Sequence, residues 1–166
     1  MRSRRIDPAF TRAETEEIAL SARALADLAQ AVLKKDRPFR FLARGFSMSP
    51  FIRDGDILTI SPVPSNALTL GDVAAVIHPE TRKLVIHRVT ALSETSVVIQ
   101  GDNSPSADKP IPRTDILGRV SRVERNGRSV SLGLGPERVV IARLARLRHR
   151  PWLRPLLKIA RPIFKP

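Results

Sequence analysis

The sequence Arg-Gly-Phe-Ser-Met-Ser-Pro at residues 44–50 decides how the chain can fold. It lies between two short strand-like runs of apolar and β-branched residues. Gly45 allows the backbone to turn sharply, and Pro50 prevents the following residues from resuming a regular hydrogen-bond ladder. The sequence therefore predicts that Ser47 is held in a turn at the edge of a β-sheet.

The residues around this turn predict a β-rich core between residues 38 and 132. Short apolar and β-branched runs alternate there with turn residues, which is typical of antiparallel strands. Asn126 and Gly127 lie between two such runs and are a strong signal for a two-residue hairpin turn. We expect seven or eight strands with no helix between them, including residues 39–42, 57–60, 72–77, 83–90, 96–100, 116–124 and 128–132.

Two segments of different character flank this core, residues 1–37 and residues 133–166. The spacing of apolar residues predicts an amphipathic helix over residues 11–35, and Thr11 and Glu14 fit a capping box at its start. We expect this N-terminal helix to pack on the core, with binding to a partner protein as the alternative. The second segment is expected to form a basic, helical C-terminal tail.

The net charge of +13 is concentrated in that tail, since residues 138–166 contain nine basic residues and no acidic one. A basic segment that also carries tryptophan and leucine suits the interface of an anionic membrane, and a solvated or locally docked tail is the alternative. Nucleic-acid binding is not expected, because no aromatic platform or reading helix accompanies the arginines. The apolar residues on one face of the tail helix are Val140, Leu144 and Leu147.

The composition also limits the class of protein. The chain has no cysteine, which excludes disulfides and thiolate metal sites, and its three histidines lack metal-ligand spacing. We therefore expect no metal and no cofactor. No apolar run approaches the roughly 20 residues of a transmembrane segment, and no apolar stretch follows the basic N-terminus as in a secretory signal. We expect a cytoplasmic protein, with peripheral contact at the inner face of the membrane through the tail.

Three polar positions form a candidate catalytic group. A serine hydroxyl such as that of Ser47 needs a neighbouring base to take its proton before it attacks a carbonyl. His87, on a predicted strand, is the candidate base. Asp102 and Asp108 lie in a polar loop after the next strand, and either could orient the imidazole and stabilise its charged form.

Seven short motifs in this order resemble the type I signal peptidase superfamily of serine peptidases. The resemblance implies a mainly β fold of the signal-peptidase and LexA type, with Ser47 as nucleophile. It implies that His87 replaces the lysine base of bacterial housekeeping members and that Asp108 assists, with Asp102 as second choice. The motifs are Ser-Met-x-Pro at 47–50, Gly-Asp at 55–56, Gly-Asp-Val at 71–73, His-Arg-Val at 87–89, Gly-Asp-Asn at 101–103, Asp108, and Gly-Arg-Val at 118–120.

The turn departs from the signal peptidase pattern at one position. Gly45 stands where many signal peptidases have a serine whose hydroxyl contributes to the oxyanion hole. Gly-x-Ser-Met instead resembles the LexA-type repressor and mutagenesis-protein branch of the superfamily. Oxyanion stabilisation is then expected from backbone amides in the turn between Gly45 and Met48, with the Ser47 N–H first.

Three functions follow from this sequence. The first is a serine endopeptidase that cleaves an extended peptide or a precursor protein by a Ser-His or Ser-His-Asp mechanism. The second is a self-cleaving LexA-type regulator, although the chain lacks the lysine base and any Ala-Gly or Cys-Gly bond. The third is a non-catalytic relative that binds a peptide or a membrane surface.

Overall fold

The computed structural model describes residues 21–147, and it is mainly β, as the sequence predicts. Eight antiparallel strands form one curled sheet, accompanied by two α-helices. The helices are α1 (Ala22–Leu33) and α2 (Arg138–Leu147). The strands are β1 (Phe39–Leu42), β2 (Ile57–Ser61), β3 (Val73–Ile77), β4 (Leu84–Leu92), β5 (Ser96–Gln100), β6 (Ile111–Pro112), β7 (Ile116–Arg125) and β8 (Arg128–Val130).

The strand order leaves part of β4 with an unpaired edge. The sheet runs β1-β2-β7-β3-β4-β5-β6, and β8 pairs with β7. Strand β4 pairs with β3 from Leu84 to Arg88, but its pairing with β5 begins only at Arg88. Among the described residues, the segment Leu84–His87 therefore has a strand neighbour on one side only. Strand β1, at the end of the order, likewise pairs on one side, with β2.

The core fills both faces of the sheet around β3. All five residues of this strand are buried, which explains why its sequence is continuously apolar rather than alternating. Val73 and Ala75 belong to one cluster, with α1, β1, β2 and the 44–50 turn. Ala74 and Val76 belong to a second cluster with β5 and β6. The turn that carries Ser47 is thus anchored to the first cluster.

Helix α1 begins later than the sequence predicts. Ser21 has an extended backbone, with φ −60° and ψ 152°, and its Oγ accepts a hydrogen bond from the Ala24 N–H. A serine in this conformation is an N-cap, so the prediction of one continuous helix over residues 11–35 is wrong. Residues 1–20, including the predicted capping box, lie outside the described residues. The amphipathic packing of α1 is confirmed, because Ala26, Ala29 and Leu33 are buried.

The hairpin prediction is confirmed, and three small elements were not predicted. Asn126 and Gly127 have φ of 50° and 73°, the left-handed pair that a two-residue hairpin turn requires. The elements missed are β6 and two single 3-10 turns, Ser65–Ala67 and Arg113–Asp115. Residues 148–166 of the predicted tail lie outside the described residues, and the division at residues 37 and 132 remains a prediction.

The two α-helices are short. Within residues 21–147, neither has the length and apolar composition needed to cross a bilayer.

Candidate active site

The turn at residues 44–50 exposes Ser47 while burying its neighbour. Met48 is buried in the first core cluster, and its packing there anchors the turn to the core. Gly45 has a φ of 100°, a conformation that suits glycine, and its N–H donates to Asp54 Oδ1 at 2.7 Å. The Ser49–Pro50 peptide bond is cis. Ser47 therefore sits on a surface turn whose backbone is tied on both sides.

A second loop holds the backbone of Ser47 directly. The Asn103 N–H donates to the Ser47 carbonyl oxygen at 2.7 Å. The Asn103 side-chain amide donates to the carbonyl oxygen of Phe46 at 3.3 Å. The Gly-Asp-Asn motif at 101–103 thus clamps the Ser47 turn onto the end of β5.

His87 and Asp108 form a direct pair beside this turn. His87 Nδ1 and Asp108 Oδ2 are 2.6 Å apart, and both side chains are partly exposed. Asp108 is itself held in place, because its N–H donates to the Ile99 carbonyl oxygen on β5. In a neutral imidazole that donates its Nδ1 proton to this carboxylate, Nε2 carries the lone pair.

The second ring nitrogen of His87, Nε2, lies close to Gly101. A Cβ placed on Gly101 would lie 2.6 Å from the Ser47 carbonyl oxygen and 3.0 Å from His87 Nε2. Both atoms therefore flank the same small space beside the Gly101 backbone. A glycine is required there because any side chain would collide with the Ser47 turn and the imidazole.

Ser47 and His87 line one pocket of about 340 Å³. Its walls come from the unpaired edges of β1 and of the first half of β4, from the turn, and from the first residues of α1. Among residues 21–147, no hydrogen bond joins the Ser47 hydroxyl to the imidazole. Catalytic hydrogen bonds are often longer without substrate and tighten when it binds. The apolar side chains that line this pocket include Leu25, Phe41, Met48, Leu84 and Ile86.

Backbone N–H groups in the turn are available to stabilise an oxyanion. The N–H groups of Ser47 and Met48 donate to no acceptor within the described residues. The Gly45 N–H, in contrast, is engaged by Asp54. Of the residues predicted for the turn and the oxyanion hole, Gly45 therefore shapes the turn, while the amides of Ser47 and Met48 remain open.

Residues 10–121 match the family described as Peptidase S24-like, and this match spans more than half of the chain. This chain belongs to the Peptidase S24-like family. The predicted membership of the LexA-like and signal peptidase-like serine peptidase superfamily is thereby confirmed. No curated protein matches the sequence. The match includes Ser47, His87 and Asp108, and it ends before α2.

In this S24-like protein Asp102, the second candidate for orienting His87, pairs with a different residue. Its two carboxylate oxygens accept hydrogen bonds from Arg88 Nε and Nη2, each at 2.7 Å. Arg88 Nη1 also donates to the carbonyl oxygens of Gly71 and Gly133 at 2.8 Å. Its guanidinium lies 5.6 Å from the ring centre of Phe51. The structure thus places Asp108, and not Asp102, on the imidazole.

Arg88 was not among the predicted site residues of this S24-like protein, although the sequence contained a signal for it. Arg88 lies within the apolar run Val85–Thr90 of β4, so its side chain is expected to be buried with its neighbours. A buried arginine needs acceptors, and a nearby aspartate is the expected one. The sequence could have indicated a buried ion pair, but not which aspartate would form it.

A further ion pair supports the far end of the S24-like serine turn. Arg125 donates from Nε and Nη2 to the two oxygens of Asp56, at 2.8 and 2.7 Å, and from Nη2 to the Phe51 carbonyl oxygen. Burial alone would raise the pKa of Asp56. The hydrogen bonds from Arg125 and from the Arg53 N–H, together with their positive charges, outweigh burial and lower that pKa.

Proposed function

We propose that this S24-like protein is a serine endopeptidase in which Ser47 is the nucleophile, His87 the general base and Asp108 the residue that orients His87. One observation carries the proposal. The imidazole is held through Nδ1 by Asp108 at 2.6 Å, and its Nε2 faces the space beside the Ser47 turn. Within the described part of the chain Nε2 has no hydrogen-bond partner, and a histidine with only a structural role would have no need of such a nitrogen next to an exposed serine.

The arrangement supports acyl transfer in two steps. Ser47 Oγ attacks the carbonyl carbon of the scissile peptide bond, and His87 Nε2 takes the hydroxyl proton. The negative charge on the carbonyl oxygen is stabilised by the Ser47 N–H, with the Met48 N–H as a second donor. When the carbon–nitrogen bond breaks, His87 returns the proton to the leaving amine. Water then hydrolyses the acyl-enzyme by the same steps, and Asp108 stabilises the imidazolium in both.

The pocket supports an extended peptide as substrate. Residues of β1 and Leu84–His87 line the pocket, and among the described residues each of these segments pairs with a strand on one side only. An extended peptide can add to such an edge as a further strand, with specificity from the pockets that take its side chains. Because the walls are mainly apolar, we expect a substrate with apolar side chains close to the scissile bond.

The test is cleavage of a mixture of unstructured peptides, followed by mass spectrometry, together with labelling by a fluorophosphonate probe. The intact protein should cleave peptides and acquire the probe on Ser47. Ser47→Ala and His87→Gln should lose both activities while keeping the circular dichroism spectrum of the folded protein. Ser49→Ala, a serine two residues away in the same turn, is the matched control and should retain them. An active Ser47→Ala protein would overturn the proposal.

The same experiment distinguishes the two alternatives. Self-cleavage would shorten the purified chain on incubation without added peptide, and a loss of mass near residue 40 would favour a LexA-type regulator. A folded protein that neither cleaves peptides nor reacts with the probe would favour a non-catalytic, peptide-binding relative.

A further inference from the structure

Helix α2 is attached to the body by its smallest side chains and by polar contacts. Ala142 and Ala145 are buried against the sheet. At the start of the helix, Arg138 Nε lies 3.3 Å from Asp72 Oδ1. Just before it, Glu137 Oε1 accepts hydrogen bonds from the Gly133 and Gly135 N–H groups. The helix is therefore held in a defined orientation on the body.

The opposite face of α2 exposes two large apolar residues. Val140 and Leu144 are 57% and 56% exposed, and their spacing of four places them on one face. An ordinary amphipathic surface helix buries its large apolar residues, whereas α2 exposes Val140 and Leu144 and leaves Val139 and Ile141 half-buried. Arg143 is exposed beside this face, and Arg146 is exposed on the flank between Arg143 and the buried Ala142. We call these four exposed residues, Val140, Arg143, Leu144 and Arg146, the outer face of α2.

The charged residues from Arg138 onward are all positive. Residues 138–147 contain three arginines and no acidic residue, and residues 148–166 add six further basic residues and again no acidic one. Apolar residues accompany the basic ones in that last segment, among them Trp152, Leu153 and Leu156. The outer face thus belongs to a continuous basic and apolar stretch of sequence.

We propose that the outer face of α2 docks the protein on an anionic membrane surface. Arginines near a negatively charged leaflet gain electrostatic attraction, and apolar side chains between them enter the boundary of headgroups and acyl chains. Both residue types on the outer face are then used. Nucleic acid would attract Arg143 and Arg146 through its phosphates but would leave Val140 and Leu144 without a role. The proposal does not depend on catalysis by Ser47.

The experiment measures co-sedimentation of the full chain with lipid vesicles. Vesicles of phosphatidylcholine alone are compared with an equal mixture of phosphatidylcholine and phosphatidylglycerol, at low and at high salt. The intact protein should bind the mixed vesicles at low salt, bind less at high salt, and leave the neutral vesicles free of protein. Absence of binding to the anionic vesicles at low salt would overturn the proposal.

Two double variants test whether α2 itself makes the contact. Arg143→Gln with Arg146→Gln should weaken partition by about fivefold for each arginine removed. Val140→Ser with Leu144→Ser should weaken it by about tenfold. Melting temperatures should change little, because all four side chains are exposed.

Matched controls lie on other surfaces of the same molecule. Arg82→Gln with Arg128→Gln removes two exposed arginines, and Leu28→Ser with Leu92→Ser removes two exposed leucines. Both controls should retain vesicle binding. If they weaken it as much as the α2 variants do, or if the α2 variants bind normally, the outer face is not the docking surface. Preferential retention on duplex DNA over anionic vesicles in the same buffer would also overturn the proposal, in favour of nucleic acid.

Discussion

Neighbouring residues on β4 each pair with an aspartate from the same loop, and the two pairs are built in opposite ways. Arg88 and Asp102 are 0% and 2% exposed and share two hydrogen bonds of 2.7 Å. His87 and Asp108 are 13% and 25% exposed and share one contact of 2.6 Å. Successive residues of a strand point to opposite faces, so one loop supplies a partner on each side of the sheet.

The difference in burial and hydrogen bonding suits the Arg88 pair to a structural role and the His87 pair to a chemical one. A fully buried charge pair must satisfy nearly all its donors and acceptors, and Arg88 does so with Asp102 and two backbone carbonyl oxygens. Among residues 21–147, His87 Nε2 has no hydrogen-bond partner, and it lies beside Gly101 next to the Ser47 turn. We infer that the Arg88 pair holds the 101–103 loop in position, while the His87 pair is available for proton transfer.

The largest expected effect is on the rate of the proposed reaction. Asp108→Asn should lower peptide cleavage by about 10²- to 10⁴-fold, because the imidazole loses the carboxylate that fixes its tautomer. The melting temperature should change little, since Asp108 is partly exposed. Cleavage assays and thermal denaturation measure the two effects, with Glu80→Gln on an exposed ion pair as control. Full activity in Asp108→Asn would show that the pair has no catalytic role.

The second prediction concerns stability on the buried side. Arg88→Met should reduce the free energy of unfolding by about 3–5 kcal/mol, because the buried Asp102 carboxylate loses both hydrogen bonds from Arg88. Arg40→Met makes the same substitution in the exposed pair with Glu124 and should cost less than about 1 kcal/mol. Urea denaturation compares the two. Equal losses would contradict the distinction between the buried pair and pairs at the surface.

The third prediction tests the point where the two sides meet. Gly101→Ala should reduce stability by about 1–3 kcal/mol, since its Cβ meets the Ser47 carbonyl oxygen and His87 Nε2 at 3.0 Å or less. Cleavage should fall as well, because Ser47 and His87 must move apart. Gly127→Ala, in the hairpin turn, strains a positive φ without touching the site and should lower stability alone. Unaltered cleavage in Gly101→Ala would show that the close approach is not needed.

The smallest expected effect is on the pH dependence of stability, and it comes from the ion pair of Asp56 and Arg125. The pKa of Asp56 in the folded protein lies below its ordinary value of 3.8. Its contribution to stability is therefore complete above that value and is lost as the pH falls through the folded pKa. Denaturation curves between neutral and acid pH should show a shallower decline for Asp56→Asn than for the unmodified protein. Identical slopes would show that Asp56 does not contribute.

The sequence was most informative where local rules decide the structure. Strands β1 and β5 have the predicted limits because turn residues bound their apolar runs. The start of α1 was missed because the apolar spacing continues across Ser21, and a serine within a helical pattern does not by itself mark an N-cap. Strand β6 was missed because two residues that include a proline give almost no periodic signal.

The candidate site was predictable as a set of residues but not as a geometry. Ser47, His87 and Asp108 could be selected by type and order. The residue types alone could not separate Asp108 from Asp102, since both follow β5 within one polar loop, and the preference for Asp108 came from the family resemblance. The choice depends on which face of the sheet each side chain reaches, and only the folded loop determines that. The hydrogen bond from the Asn103 N–H to the Ser47 carbonyl oxygen could not be predicted either, because it also depends on how the loop folds.

Among the described residues, the segment Leu84–His87 of β4 pairs with β3 only, and this has a consequence for the selectivity of peptide binding. A chain that pairs with the free edge of Leu84–His87 must follow the pleat of the sheet, so its side chains alternate between two sides. Recognition would then be periodic, reading every second residue of the bound chain and ignoring those between. Shifting that chain by one residue would exchange the two sets, which would give the proposed peptidase a means of selecting one peptide bond among many.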